Sequence, residues 1–392
     1  MENFEYYAPT KVFFGKDTQK LAGKAVKEFK GKKVLLHYGG KSAIKSGLID
    51  EVCQSLELEG IEYVTLGGVV PNPRLSLVRQ GIELCKKENV DFILAVGGGS
   101  VIDSSKAIAY GIANDCDVWD FYSRKAKAKA CAPVGAVLTI AAAGSEMSNS
   151  SVITNEQGWL KRGYSSDLSR PKFAIMNPVL TYTLPAYQTA AGCVDIMLHT
   201  LERYFTNTTD VELSDRLCES ILKTIIHNAP IALKQPDNYA ARAEIMWSSS
   251  LAHNNVTGVG RVQDWACHQL EHELSGMFDV AHGAGLASVW GSWARYVMKE
   301  NPMRFAQLAV NVMGLEMDFE NPSSTALRGI EAMEQFFKSI GMPIKISELG
   351  IDINERQIDE LAHKCSFEGK RTIGGFKILN EQDMREIYTL AR

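Results

Sequence analysis

Apolar residues in the first half of the chain fall into short continuous runs, each followed by a segment of helical periodicity. Lys33 to Tyr38 predicts a strand that ends at Gly39-Gly40, and a helix follows from about Ser46 to Glu59. Glu62 to Leu66 predicts a second strand. Pro71-Asn72-Pro73 then breaks the chain before a helix that runs to about Glu88. Asp91 to Val96 is almost wholly apolar, as a strand covered on both faces should be. It runs into Gly97-Gly98-Gly99-Ser100 and a helix from Val101 to about Ala113, and Pro133 to Ile140 predicts a fourth strand. This alternation predicts a parallel sheet with helices on both faces and ligands at the carboxyl ends of the strands.

Beyond about Pro185 the strand signals nearly vanish. Leu213, Leu217, Ile221, Ile225 and Ile226 mark one face of a helix; Ala240 to His253 and Pro302 to Met313 predict two more. Asn380 with Asp383 three residues on reads as an N-cap opening a final helix, Met384 to Leu390. The pattern therefore predicts an α/β domain over residues 1–185 and an all-α domain over 186–392, joined without a flexible linker. Ala8 to Phe14 reads as an edge strand, through which a homodimer or larger homo-oligomer is expected.

Composition narrows the function. At 392 residues the chain exceeds one ordinary core, and 45% hydrophobic with 22% charged residues is the balance of a soluble globular protein. No apolar run reaches the roughly 18 to 20 residues of a membrane span. Met1 to Glu5 lacks the basic start of a signal peptide. A net charge of -4 argues against a nucleic-acid surface. The 8 cysteines are scattered without a C-x-x-C pair, which predicts reduced thiols and a cytoplasmic protein.

The chain carries only 8 histidines, and several cluster. His268 and His272 stand four apart, which puts both on one face of a helix. His282-Gly283 follows after a break expected near Gly276, and Asp195 and His199 repeat the spacing upstream. Imidazole with carboxylate suits a divalent metal such as iron, zinc, nickel or manganese. The stretch is not the H-E-x-x-H of zinc proteases, because Gln269 follows the first histidine. The glycine turn at residues 97–100, between a buried strand and a helix, suits a pyrophosphate, although it is not G-x-G-x-x-G. Where an acid often grips the adenosine ribose, this chain has Gly39-Gly40-Lys41-Ser42. Glycines leave room there, and Lys41 and Ser42 can meet a 2′-phosphate, so NADP(H) is favoured over NAD(H).

Taken together, Gly97-Gly98-Gly99-Ser100-Val101-Ile102-Asp103, Ala143-Gly144-Ser145-Glu146, Asp195-x3-His199, His268-x3-His272 and His282-Gly283 resemble the iron-containing (group III) alcohol dehydrogenases, in their butanol dehydrogenase branch. Val70-Pro71-Asn72-Pro73, Arg170-Pro171-Lys172-Phe173 and Thr181 to Pro185 support the resemblance, which runs from Phe4 to the last helix. It implies a Rossmann-like N-terminal domain, a helical C-terminal domain and an active site in the cleft between them. It implies metal ligands at Asp195, His199, His268 and His282, with His272 near nicotinamide and substrate as a proton carrier. Gly39, Gly40, Ser42, Asn72, Gly97, Gly98, Gly99, Ser100, Asp103, Thr139, Ser145 and Lys161 match cofactor-contacting positions. Ala143 stands where the family usually has Thr, and Asn177 where Asp-Pro usually begins.

The expected activity is reversible oxidation of short- to medium-chain primary alcohols to aldehydes with a nicotinamide cofactor. One divalent metal is expected, Fe²⁺ favoured and Zn²⁺ a possible substitute. The substrate is a small molecule; neither nucleic acid nor membrane is expected as a partner. The small residues Val256 to Gly260 fit an uncharged substrate, although Arg261 follows them. Two alternatives stay open: a dehydroquinate synthase-like or glycerol dehydrogenase-like metal enzyme, and a non-catalytic domain closed by structural zinc.

Overall fold

The structure, a computed structural model, describes every residue from Met1 to Arg392. Its residues group into two compact units. Tyr7–Leu184 with Asp237–Ser250 form a sheet unit; Met1–Tyr6, Pro185–Pro236 and Leu251–Arg392 form a helical unit. The sequence pattern predicts a single cut at 185, and two short segments cross it. Met1 donates its ammonium to the Thr209 carbonyl at 2.9 Å, and the Glu2 N–H donates to the Gly260 carbonyl at 2.8 Å, within the helical unit. Trp247 packs edge-on against Phe14, and the Ser250 hydroxyl donates to the Glu146 carboxylate, within the sheet unit.

Six strands make the main sheet: β1 (Lys11–Phe14), β2 (Lys33–Tyr38), β3 (Glu62–Leu66), β4 (Phe92–Gly97), β5 (Val134–Leu138) and β8 (Phe173–Met176). Their order is β1-β8-β5-β4-β2-β3, and every pairing is parallel. Side chains alternate between the faces. Val34 and Leu36 of β2 join Phe92, Leu94 and Val96 of β4 in one core, while Leu35 and Ile93 enter the opposite one. Each such aliphatic side chain, fully removed from water, contributes about 1.5–3 kcal/mol. The chain leaves β2 for β3 on one side and returns as β4 on the other, so the strand order reverses between β2 and β4. Both glycine turns, Gly39-Gly40 and Gly97-Gly98-Gly99, leave the sheet at this switch point. A two-stranded antiparallel ribbon, β6 (Ser150–Asn155) and β7 (Leu160–Ser165), stands apart from the sheet. Neither the ribbon nor β8 was signalled by the hydrophobic pattern, because the ribbon is largely polar and β8 has only 4 residues.

In the helical unit, helices span Ala186–Tyr204, Glu212–Lys234, Ala266–Phe278 and His282–Val297, with four more from Pro302 to Ala391. Leu213, expected on an apolar face, is exposed instead. The buried side of its helix carries Asp215, which takes ion pairs from Arg304 and from Arg261. The break expected near Gly276 does not occur there. That helix runs through Gly276 to Phe278 and ends at Asp279, whose left-handed φ of 53° turns the chain toward His282. No helix is long and apolar enough to cross a membrane.

One strand residue makes stability pH-dependent. His37 is buried in β2, with Nδ1 2.7 Å from the Leu66 carbonyl and Nε2 2.9 Å from Ser104 Oγ. Burial pulls its pKa from 6.5 down to about 4, against the raising effect of the Leu66 carbonyl. Between those values the unfolded chain holds a proton that the folded chain does not. Stability is therefore full above about pH 6.5 and lost as pH falls through 4, by about 3 kcal/mol in all. His37→Gln should flatten the fall of the urea midpoint across this window relative to the parent chain; an equally steep fall would contradict the assignment.

Candidate active site

Three helices bring four predicted ligands together. Asp195 and His199 lie one turn apart on Ala186–Tyr204, His268 lies on Ala266–Phe278, and His282 opens His282–Val297. The close approach of the first and third helices depends on Gly283. A Cβ there would lie 1.9 Å from the Ala191 carbonyl oxygen, one turn before Asp195. The glycine beside His282 thus serves helix packing, which carries the imidazole to the carboxylate.

Asp195 Oδ1 is the meeting point. It lies 3.4 Å from Nε2 of His199, 3.9 Å from Nε2 of His268 and 3.6 Å from Nε2 of His282. Asp195, His199 and His268 are buried, and the His282 side chain is 26% exposed. Asp195 Oδ1, His268 Nε2 and His199 Nδ1 have no hydrogen-bond partner. Buried groups of this kind are costly unless something satisfies them. Donors bound to one ion at about 2.0–2.2 Å stand about 3–3.6 Å apart, close to the observed separations. The residues present therefore fit a divalent cation. Asp195, His268 and His282 form a set whose ligand atoms all lie within 4.8 Å of one another. His199 stands outside that set and meets it at Asp195.

Carboxylates aim two of the imidazoles. Glu202 Oε1 accepts from His268 Nδ1 at 3.0 Å and from the His268 backbone N–H at 2.9 Å. Glu271 accepts from His282 Nδ1 and from the Ser275 hydroxyl. With Nδ1 donating, a neutral ring presents its Nε2 lone pair on the Asp195 side. Gly285 leaves the room that Glu271 needs, since a Cβ there would lie 2.9 Å from Glu271 Oε1. Burial lowers the His268 pKa, but the nearby Asp195 carboxylate and the hydrogen bond and charge of Glu202 outweigh it and raise the ring to about 9. Burial, with His253 and His268 beside it, drives His199 well below its usual value. His272 is half-buried in a second grouping with Glu271 and His282, its ring 5.9 Å from that of His282.

Glu202 and Glu271 were not singled out from sequence. Their signal is an acid at i+3 from each helical histidine, His199 and His268. His253 was missed too. It ends the helix Tyr239–His253 with its ring 4.1 Å from that of His199. Arg261 offers no charge to a substrate, because it is buried against Asp215 and the carbonyls of Arg203 and Val211.

In the sheet unit the glycine turns among the predicted cofactor positions, Gly39-Gly40 and Gly97-Gly98-Gly99, lie at the switch point. Gly98 caps the helix Gly99–Ile112, of which Ser100 is part, and the Thr139 N–H donates to the Gly97 carbonyl at 3.0 Å. A Cβ on Gly97 would run into Val101 at 2.4 Å, whereas on Gly99 the nearest atom is 3.7 Å away. Gly97 therefore has a packing reason to be glycine, whereas a Cβ on Gly99 would only meet Ala143 at ordinary contact distance. Gly39 lies across from Val101, and Gly40 has nothing within 4 Å. Ser42 is exposed on the short helix Lys41–Lys45. Asn72, with a left-handed φ of 55°, is tied to the ribbon: the Thr154 N–H donates to the Pro73 carbonyl at 2.8 Å, and Thr154 pairs with Lys161. Asp103 is occupied internally, taking the Ser145 hydroxyl at 2.5 Å and the Val152 N–H at 2.9 Å. Buried Lys106, also missed, anchors the same strap by donating to Ser145, Ser148 and Ser150 carbonyls at 2.7–3.0 Å.

A parallel sheet with glycine turns at its switch point, and imidazoles gathered on a buried carboxylate, are the parts of dinucleotide- and metal-using oxidoreductases. Comparison with known proteins gives the family. Residues 9–178 match the iron-containing alcohol dehydrogenase model, and residues 189–391 match the C-terminal model of the Fe-containing alcohol dehydrogenase family. The chain is 43% identical over 387 residues to a probable NADH-dependent butanol dehydrogenase 1 of Bacillus subtilis, covering 99% of each chain. It is 35% identical over 395 residues to the NADPH-dependent aldehyde reductase YqhD of Escherichia coli, covering 100% of each. The crystal structure of NADH-dependent butanol dehydrogenase A from Thermotoga maritima matches with a TM-score of 0.96 at 40% identity, over 100% of this chain and 99% of that one. The chain belongs to the iron-containing alcohol dehydrogenase family, in its butanol dehydrogenase branch. It is an oxidoreductase, which sets aside the non-catalytic reading, and an NAD(P)-linked alcohol dehydrogenase or aldehyde reductase by class.

The raised pKa of His268 has a consequence for cation uptake. In the cation-free protein the ring is protonated below about pH 9, and that proton must leave before Nε2 can bind. Apparent affinity for Zn²⁺ or Fe²⁺ should therefore rise about tenfold per pH unit from 7 to 9, read by calorimetric titration in buffers of different ionisation heat. Glu202→Gln should lower that affinity by about 10–100-fold. Affinity independent of pH over that range would show that His268 does not bind the ion.

Proposed function

We propose that the protein interconverts short- to medium-chain primary alcohols and aldehydes, with NADP(H) favoured and a divalent cation, Fe²⁺ before Zn²⁺, held by Asp195, His268, His282 and His199. The observation that carries the reading is the convergence of imidazole Nε2 atoms on a buried, unsatisfied Asp195 oxygen. When bound, the cation supplies Lewis-acid polarisation of the substrate oxygen and the nicotinamide supplies or accepts the hydride. Asp195 contributes the negative charge of the site, and Glu202 and Glu271 hold His268 and His282 in the donor tautomer. His272, half-buried beside His282, carries the hydroxyl proton between substrate and solvent. Iron is favoured because a site with this many protein ligands must widen its shell to take substrate, and a fourth protein ligand closes a tetrahedral zinc site.

The turn Gly97 to Ser100 holds the pyrophosphate on backbone N–H groups at the start of Gly99–Ile112. At the neighbouring turn, Lys41 and Ser42 are exposed beside two glycines, with no acid to repel a 2′-phosphate. This preference rests on those residues; the relatives' names divide between NADH and NADPH. The engagement of Arg261 with Asp215 supports an uncharged substrate. We place the enzyme in the cytoplasm as a homodimer or larger homo-oligomer, on the exposed edge strand β1.

Butanal reduction with each cofactor tests the proposal. A charge-assisted contact to the 2′-phosphate gives a kcat/KM about tenfold or more higher with NADPH than with NADH. A clear NADH preference overturns the cofactor assignment, and no reaction with either cofactor in cation-loaded protein overturns the activity. His272→Ala should keep the cation and lose about 100-fold or more in kcat; loss of the cation instead would give His272 the role of a ligand.

A further inference from the structure

His199 differs from the other imidazoles of the site. Glu202 holds Nδ1 of His268 and Glu271 holds Nδ1 of His282, but Nδ1 of His199 is buried with no hydrogen-bond partner. Its orientation therefore comes from ring packing. The His253 ring lies against it at 4.1 Å, tilted by 35°, and the His268 ring at 4.3 Å, tilted by 39°, with Trp265 edge-on at 5.7 Å. Arg203 fixes this packing. Its guanidinium donates to the His199 carbonyl at 2.6 Å and to His253 Nδ1 at 2.9 Å, and lies over the Trp265 ring at 4.6 Å. Arginine only donates, so His253 Nδ1 is the acceptor of this bond. Trp265 holds its place at a left-handed φ of 66°, a conformation a bulky residue rarely takes. It caps the helix that carries His268.

We infer that His253, locked by Arg203, is a positioning residue that replaces the missing carboxylate partner of His199 by ring-against-ring packing and so sets the affinity and ligand field of the cation site. The inference rests on the reading that this site holds a divalent cation. His253 acts through the aim of His199 Nε2 toward Asp195 Oδ1, at 3.4 Å. This ring contact predicts that ring shape matters more than the polar atoms of His253.

The test is Co²⁺ titration of the cation-free protein, followed by visible d–d absorption, for the parent, His253→Phe, His253→Leu and His253→Ala. The parent should bind one equivalent. Phe keeps a flat ring and should stay within about threefold of the parent affinity. Leu and Ala should weaken binding about 10–100-fold and shift the d–d band, with the far-ultraviolet circular dichroism unchanged. If Ala fails to fold, the comparison of Phe with Leu decides. Equal affinity and equal spectra for Phe, Leu and parent would overturn the inference while leaving the cation site standing. A parent chain that binds no Co²⁺ would remove the cation site and the inference with it.

Discussion

The structure depends on one buried carboxylate. Asp195 sits within a helix whose inner face is closed from water, and its Oδ1 has imidazole nitrogens on several sides and no hydrogen bond of its own. Burying a carboxylate is expensive, and pairing it with imidazoles that are themselves buried does not remove the cost unless a charge or proton completes the set. Much of the surrounding architecture holds that arrangement in place: Gly283 lets two helices meet at Ala191, Asp279 turns the chain to start the His282 helix, and Glu202 and Glu271 stand behind the rings. A site built this way is preorganised, and its aim does not wait on the ligand.

The sheet unit shows the same economy at its glycine turns. They lie where the strand order reverses, the place in a parallel sheet where strand ends diverge and leave backbone N–H groups facing solvent. The glycines there do different things. Gly97 is needed by Val101, while Gly40 leaves space that a ligand can use. Lys106, Asp103 and Ser145 bind one another in place, which ties the strap after β5 to the helix that follows the turn. Residues matched to cofactor contact thus also hold the scaffold around the turn.

What could be read from the chain followed periodicity. Asp195 and His199, and His268 and His272, were visible because an i,i+4 spacing fixes a common helix face whatever the tertiary fold. The continuous apolar runs of β2 and β4 declared strands covered on both sides, and the structure buries them so. Glu202 and Glu271 were hidden because an acid three residues from a histidine is ordinary on exposed helices; only packing makes it a partner. His253 was hidden for the same reason, since a single histidine at a helix end carries no spacing signal. The β6–β7 ribbon is largely polar, with adjacent Val152 and Ile153 in place of an alternating pattern, so alternation gave no cue. Leu213 misled because apolar period alone cannot show that its helix buries Asp215 for two arginines.

The role given to Asp195 is tested most directly by a crystal structure of the iron-loaded protein with anomalous data collected at the iron edge. A single peak should lie about 2.0–2.2 Å from Asp195 Oδ1 and from Nε2 of His268 and His282, with His199 completing the shell. Protein that metal analysis shows to carry iron, yet has no peak at Asp195 or a peak among other side chains, would contradict it.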